Sequence, residues 1–218
     1  MTYNFSQIRE KVILVEADSQ YNLCSMFLRP QEFYESPYNN IRDRYFTLEE
    51  YMDTYAADKG TFSYFTDWNG FNIPSSSFLN FIKLFQLSKK EFLLASSVLK
   101  LIPEGEDRFY IIGVCKGNQN KESFEHELAH AFWYLDSKYQ QRMKELLSEI
   151  DDYLYEDADK ALVSVGYSFD MIQDEMQAYL ATASREKIIN VLGWRKYNHI
   201  SIPRSIRKYF KEYYKAHK

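Results

Sequence analysis

Two stretches in the second half of the chain repeat apolar residues at helical spacing. In the first, Phe124, Leu128, Ala131, Phe132 and Leu135 form one stripe, and no proline or glycine interrupts Glu122 to Leu135. That pattern predicts a helix over residues 121–135 with one buried face. In the second, Ser168 to Ala183, the residues Met171, Glu175, Ala178, Tyr179 and Thr182 share a face, which predicts another helix. Phe109 to Cys115 reads Phe-Tyr-Ile-Ile-Gly-Val-Cys, a β-branched and aromatic run suited to a strand. Gly117-Asn118-Gln119-Asn120 then reads as a turn into the first of the two helices.

Helix starts are legible elsewhere. Thr47-Leu48-Glu49-Glu50 and Ser88-Lys89-Lys90-Glu91 are capping boxes that open helices near 48–57 and 89–100, and Ser137-Lys138-Tyr139-Gln140 reads as a third. Pro203 suits the first turn of a terminal helix. Thr61–Phe65 is strand-like, and Asp67-Trp68-Asn69-Gly70 reads as a turn between it and a following helix. Helix dominates, so the fold class is α+β and predominantly helical, with a short strand ahead of the helix at 121–135. No internal repeat or low-complexity tract breaks the chain.

A length of 218 residues is enough for a full core in one domain, or in two lobes flanking a cleft. The reading adopted is a single domain over 1–218, with an aromatic-rich N-terminal lobe over 1–105 and a helical lobe over 106–218. Residues 33–85 hold fifteen of the aromatic side chains, Tyr34, Tyr38, Trp68 and Phe71 among them. A packed lobe accounts for them more simply than a substrate groove. There is no N-terminal signal pattern and no apolar run of the roughly 18 residues a membrane span needs. Cys24 and Cys115 are the only cysteines, which suits a reducing cytosol better than a disulfide scaffold. The expected location is therefore cytoplasmic, with no membrane partner. Residues 145–159 carry seven acids and no base, but without EF-hand spacing they read as a solvated helix face. The C-terminal stretch reverses sign, with Arg204, Arg207, Lys208, Lys211, Lys215 and Lys218 against Glu212, interleaved with Tyr209, Phe210, Tyr213 and Tyr214, a pattern that could meet nucleic acid or an acidic partner. Because the chain carries a net charge of −4, no nucleic-acid partner is expected, and docking by the aromatic face of this helix is the simpler role.

The candidate chemistry lies in the first helical stretch. His126-Glu127-Leu128-Ala129-His130 is an HExxH pentapeptide. Residues four apart on a helix lie one above the other, so both imidazoles leave the same face and can share one metal ion. Glu127 lies about 100° further round, placed to reach a water at the metal without being a ligand. Two neutral nitrogen donors, an open position and a carboxylate base are what a metallohydrolase needs. The alternative is an ordinary amphipathic helix with two half-buried histidines.

A catalytic zinc takes three protein ligands as a rule. Asp136 lies six residues after His130, but a ligand there needs a sharp turn after the second histidine, and Trp133 stands where a glycine would supply it. Glu175 is the better candidate, because an acid set among small and apolar residues is costly to bury unless it is paired or bound to a metal. Asp174 shares its face mainly with Gln177 and Ala181 and ranks below it. Cys115, eleven residues before His126, is a further sulfur candidate, though a strand cysteine is most often a small buried hydrophobe.

With HExxH and a downstream glutamate on a second helix, the chain resembles the zincin metallopeptidases of gluzincin type. The resemblance covers the helices around 121–135 and 168–183. It implies one Zn2+ per chain held by His126, His130 and Glu175, with Glu127 as general base and acid in hydrolysis of a peptide or protein substrate. The Asn-Glu signature of the thermolysin group is absent, and Tyr179 stands where that group has an acid supporting the first histidine. Tyr179 has three possible roles: donor to the oxyanion, orienter of a ligand, or packing. Zincins commonly pair substrate with an edge strand, and Phe109–Cys115 is the candidate for that edge by β-augmentation, unless both its edges are already paired. The rival function is a zincin-fold protein that keeps its metal but acts as a binding or regulatory module.

Overall fold

Every residue of β4 (Tyr110–Cys115) is buried, and the strand has a hydrogen-bonded neighbour on each side. The computed structural model describes residues 3–68, 70–117, 121–197 and 201–217, and the chain divides into two units, Met1–Gln119 and Asn120–Lys218.

In the first unit, β1 (Tyr3–Arg9) and β2 (Val12–Ala17) form an antiparallel hairpin. β2 runs parallel to β4, and β3 (Gly70–Pro74) pairs antiparallel with the other side of β4. The order is therefore β1-β2-β4-β3, and the edges are β1 and β3. β4 is an interior strand, so peptide addition to it has no free edge. The continuous apolar run Tyr-Ile-Ile-Gly-Val-Cys, without polar alternation, is the pattern of a strand covered on both faces.

Helix α1 (Gln20–Glu35) starts at Ser19, whose hydroxyl accepts from the Asn22 N–H. It buries Leu23 and Phe27 despite Pro30 in its interior. The Phe27 ring packs directly over Gly113, where a Cβ would come within 2.7 Å of it. Both predicted capping boxes are present, Thr47 with Glu50 opening α2 (Leu48–Lys59) and Ser88 with Glu91 opening α5 (Lys89–Leu101). α4 spans Ser75–Leu84. The strand-like Thr61–Phe65 instead leads into a short helix, α3 (Tyr64–Asp67), and the segment after Trp68 is strand β3 rather than a helix. Packing overrides propensity there. Tyr64 is fully buried, and it and Phe62 stack among Tyr51 and Tyr55. The aromatic residues of 33–85 form the core of this unit, with Phe33, Phe46, Tyr51, Phe71, Phe78 and Phe81 all buried.

The second unit contains only helices among its described residues. They are α6 (Lys121–Leu135), α7 (Ser137–Leu147), α8 (Asp152–Ser164), α9 (Ile172–Thr182), α10 (Arg185–Val191), a 3-10 turn (Trp194–Lys196) and α11 (Arg204–Ala216). α9 is the central helix, packed on α6, α7, α8, α10 and α11, which explains why eight of its eleven residues are buried. α7 begins one residue earlier than the Ser137 box implies. Asp136 is the cap, accepting from the Lys138 and Tyr139 amides, and Asp is as good a cap as Ser. β4 belongs with the first unit, Met1–Gln119, by its bonds to β2 and β3. The predicted turn residues 118–120 and Asn69 lie outside the described residues. The chain is thus α+β and mostly helical, and no helix among the described residues is long and apolar enough to cross a membrane.

Candidate metal centre

α6 and α9 bring three donors together. His126 Nε2 and His130 Nε2 are 3.3 Å apart, one helical turn separating them. From α9, Glu175 places Oε1 3.5 Å from His130 Nε2 and Oε2 3.7 Å from His126 Nε2. One donor atom from each of the three lies within 4.8 Å of the others, the grouping a single cation would span. His130 and Glu175 are buried at 2% and 3% exposure, while His126 and Glu127 are partly exposed.

Asp174 is drawn to the far side of the same histidine. His130 Nδ1 lies 2.9 Å from Asp174 Oδ1. Gln177 Nε2 donates to that carboxylate at 3.1 Å, and the Tyr139 hydroxyl donates to Gln177 Oε1 at 3.0 Å. A chain of buried groups from α7 through α9 to α6 thus fixes the His130 ring and leaves its Nε2 facing His126 and Glu175. A carboxylate behind a ligating histidine sets its tautomer and raises its basicity. The geometry gives Asp174 this supporting place, and Glu175 the place beside the two Nε2 atoms.

The charges follow from burial and proximity. Burial alone would push the Asp174 carboxyl upward and the His130 imidazole downward. Asp174 is raised, despite the opposing pull of His130. His130 is held well above the usual histidine range, because the attraction of Asp174 and Glu175 outweighs its desolvation. Glu175 is lowered: desolvation works against ionisation, but His130, His126 and Tyr167 stabilise the charged form. Two carboxylates converge on the buried His130, a setting that favours positive charge, whether on the imidazole or on a bound cation.

An orphaned atom bears on whether a metal fits. Glu175 Oε2 is buried and makes no hydrogen bond among the described residues, an expensive state for a carboxylate oxygen unless a cation meets it. The donor set, two imidazoles and one carboxylate, is that of zinc sites with an open position. His126 differs from His130 in its support. Its Nδ1 is buried without a hydrogen-bond partner among the described residues, and its ring is held instead by Tyr179, with centroids 4.6 Å apart. Lys187 Nζ lies 5.7 Å from the centroid of the same tyrosine ring.

The remaining candidates fall elsewhere. Asp136 caps α7 and accepts from the Tyr213 hydroxyl at 2.5 Å, so both its oxygens are occupied structurally. Cys115 lies in β4, buried, with a thiol raised by desolvation, and is not among the clustered donors. Tyr139, Gln177 and Tyr167 are the site residues that sequence reading missed. Only the acid pair Asp174-Glu175 hinted at them, since two adjacent carboxylates in an apolar helix both need partners. Comparison with protein-family profiles, with curated proteins and with solved structures found no match to this chain.

Proposed function

We propose that the chain is a zinc-dependent hydrolase of peptide or other amide bonds, of the gluzincin kind. The observation that carries this reading is the convergence of His126, His130 and Glu175 from two helices, with a buried carboxylate oxygen left unsatisfied and Glu127 next to the first histidine. His126 Nε2, His130 Nε2 and Glu175 would hold the ion. Zinc bound there supplies Lewis acidity, polarising the scissile carbonyl and bringing the pKa of water to about 7. Glu127 takes a proton from the attacking water and returns it to the leaving nitrogen. Asp174 holds the His130 ring in one tautomer, with Gln177 and Tyr139 fixing the carboxylate in turn. Tyr179 orients His126 by packing, and its hydroxyl is the candidate second donor to the oxyanion. The substrate is a peptide or protein, and a cytoplasmic location belongs to the same proposal.

The test is zinc content and peptide hydrolysis measured together on wild type and Glu127→Gln. The expected result is about one zinc per chain in both, with turnover in wild type reduced at least roughly 100-fold in the variant, the scale of a lost general base. Zinc in both proteins with no hydrolysis of a diverse peptide library by either would favour the binding-module reading. Absence of zinc after reconstitution would leave the cluster as a buried ion network.

A further inference from the structure

α11 is divided along its length. Ile206 and Phe210 are buried, while Tyr209 and Tyr213 lie against Tyr139. On the opposite side Arg204, Lys208, Lys211 and Lys215 recur at intervals of four, three and four residues. At 100° and 1.5 Å per residue they fall in a stripe about 60° wide that runs about 16 Å along the axis. With Arg185 and Arg207 they line a cavity of about 850 Å3, in which Glu212 is the one acid among the described lining residues. Lys208 meets Glu212 at 3.9 Å, and Arg207 donates to the Ala183 carbonyl at the end of α9. Arg204, Lys211 and Lys215 meet no carboxylate among the described residues.

This arrangement works against the helix that carries it. Arg204 with Lys208, Arg207 with Lys211, and Lys211 with Lys215 are like-charge pairs four residues apart, which weaken a helix. The first turn of α11 has no acid, and its N-cap, Pro203, makes no side-chain capping bond. The N-terminus of α11, at Pro203 and Arg204, lies in the cavity lining beside these cations, where an anion is favoured.

We propose that this cavity docks an acidic polypeptide segment, an extended run carrying several Asp or Glu side chains. Successive cations of the stripe advance by about 5.5 Å, and alternate side chains of an extended peptide by about 6.7 Å, a mismatch that long lysine side chains absorb. A lone phosphate would engage only part of a stripe about 16 Å long. Nucleic acid fits less well. No aromatic ring of α11 is among the described residues that line the cavity, which leaves no platform on which bases stack, and the chain as a whole is anionic, at −4. The inference rests on the cavity and does not depend on the metal reading.

Fluorescence anisotropy on the full-length protein, with zinc and without it, tests the proposal. The probes are a labelled Glu-rich peptide, the same peptide with Gln in place of Glu, and a single-stranded oligonucleotide. Wild type should bind the Glu-rich peptide saturably, more weakly as salt rises. Lys211→Glu/Lys215→Glu should weaken binding roughly tenfold or more, and Glu212→Lys should tighten it, with unchanged helicity in both. The proposal is overturned by absence of saturable binding, by equal binding of the Gln peptide, by indifference to charge reversal, or by tighter binding of the oligonucleotide.

Discussion

At the scale of single residues, the two adjacent acids of α9 divide the work at His130. Glu175 faces Nε2, and Asp174 faces Nδ1 at 2.9 Å. Asp174→Asn keeps the shape but removes the charge that fixes the ring, so zinc affinity should fall by roughly 10- to 100-fold. Competition with a chelating dye measures this, and circular dichroism should be unchanged; an unaltered zinc affinity would remove Asp174 from the site. Glu32 in α1 is another buried acid, in the first unit. Burial raises its carboxyl from 4.5 to about 7, against the opposing influence of the Ser36, Tyr64 and Tyr51 side chains. Between these values the folded chain holds a proton that the unfolded chain has lost. Stability contributed by this group is therefore complete below pH 4.5 and is lost as pH rises through about 7. The loss is up to about 3 kcal/mol. Urea unfolding of wild type should show this decline, and Glu32→Gln should lack it; equal slopes for the two proteins would contradict the assignment.

At the scale of elements, the sheet and its covering helix meet at one position without a side chain. Gly113 of β4 accommodates the Phe27 ring of α1, which is fully buried and stacks on Phe71 with centroids 5.3 Å apart. Gly113→Val should cost about 2–3 kcal/mol by overpacking. Adding Phe27→Leu should recover part of that cost, a coupling that denaturant titration of the double variant reads directly. A helix such as α9 has no comparable single position. Its burial is spread over eight residues, so it is set by five neighbouring helices together.

At the scale of the whole molecule, a metal that binds only the folded chain adds its binding energy to stability. The three donors come from α6 and α9, 45 to 49 residues apart in sequence for Glu175 with His130 and His126, so the unfolded chain offers no comparable site. Zinc at 100 times its Kd should stabilise by about 2.7 kcal/mol. That corresponds to a rise in Tm of roughly 5–10 °C for a chain of this length. Scanning calorimetry with and without zinc should show the rise in wild type and little or none in Glu175→Gln. No rise in wild type would count against a metal bound by the native fold.

Local patterns of the sequence were sufficient wherever the physics is local. The capping boxes at Thr47 and Ser88 appear as read, because a hydroxyl and a glutamate three residues on satisfy amides of the same turn. The grouping of His126 with His130 is local too, one turn of α6 apart. What needed the tertiary structure was everything that depends on a distant neighbour. β4 reads the same whether at an edge or in the interior until β2 and β3 pair with it. Thr61–Phe65 has strand propensity, but the segment follows the aromatic core, where Tyr64 is buried, and turns into α3. The roles of Asp174 and Glu175 differ by about 100° of rotation on one helix. Which of them faces Nε2 was decided only when α9 packed on α6, and for the same reason the acid pair hinted at partners without identifying Gln177 and Tyr139. A residue's helical face is written in the sequence, whereas the atom that meets it from another helix is settled by packing.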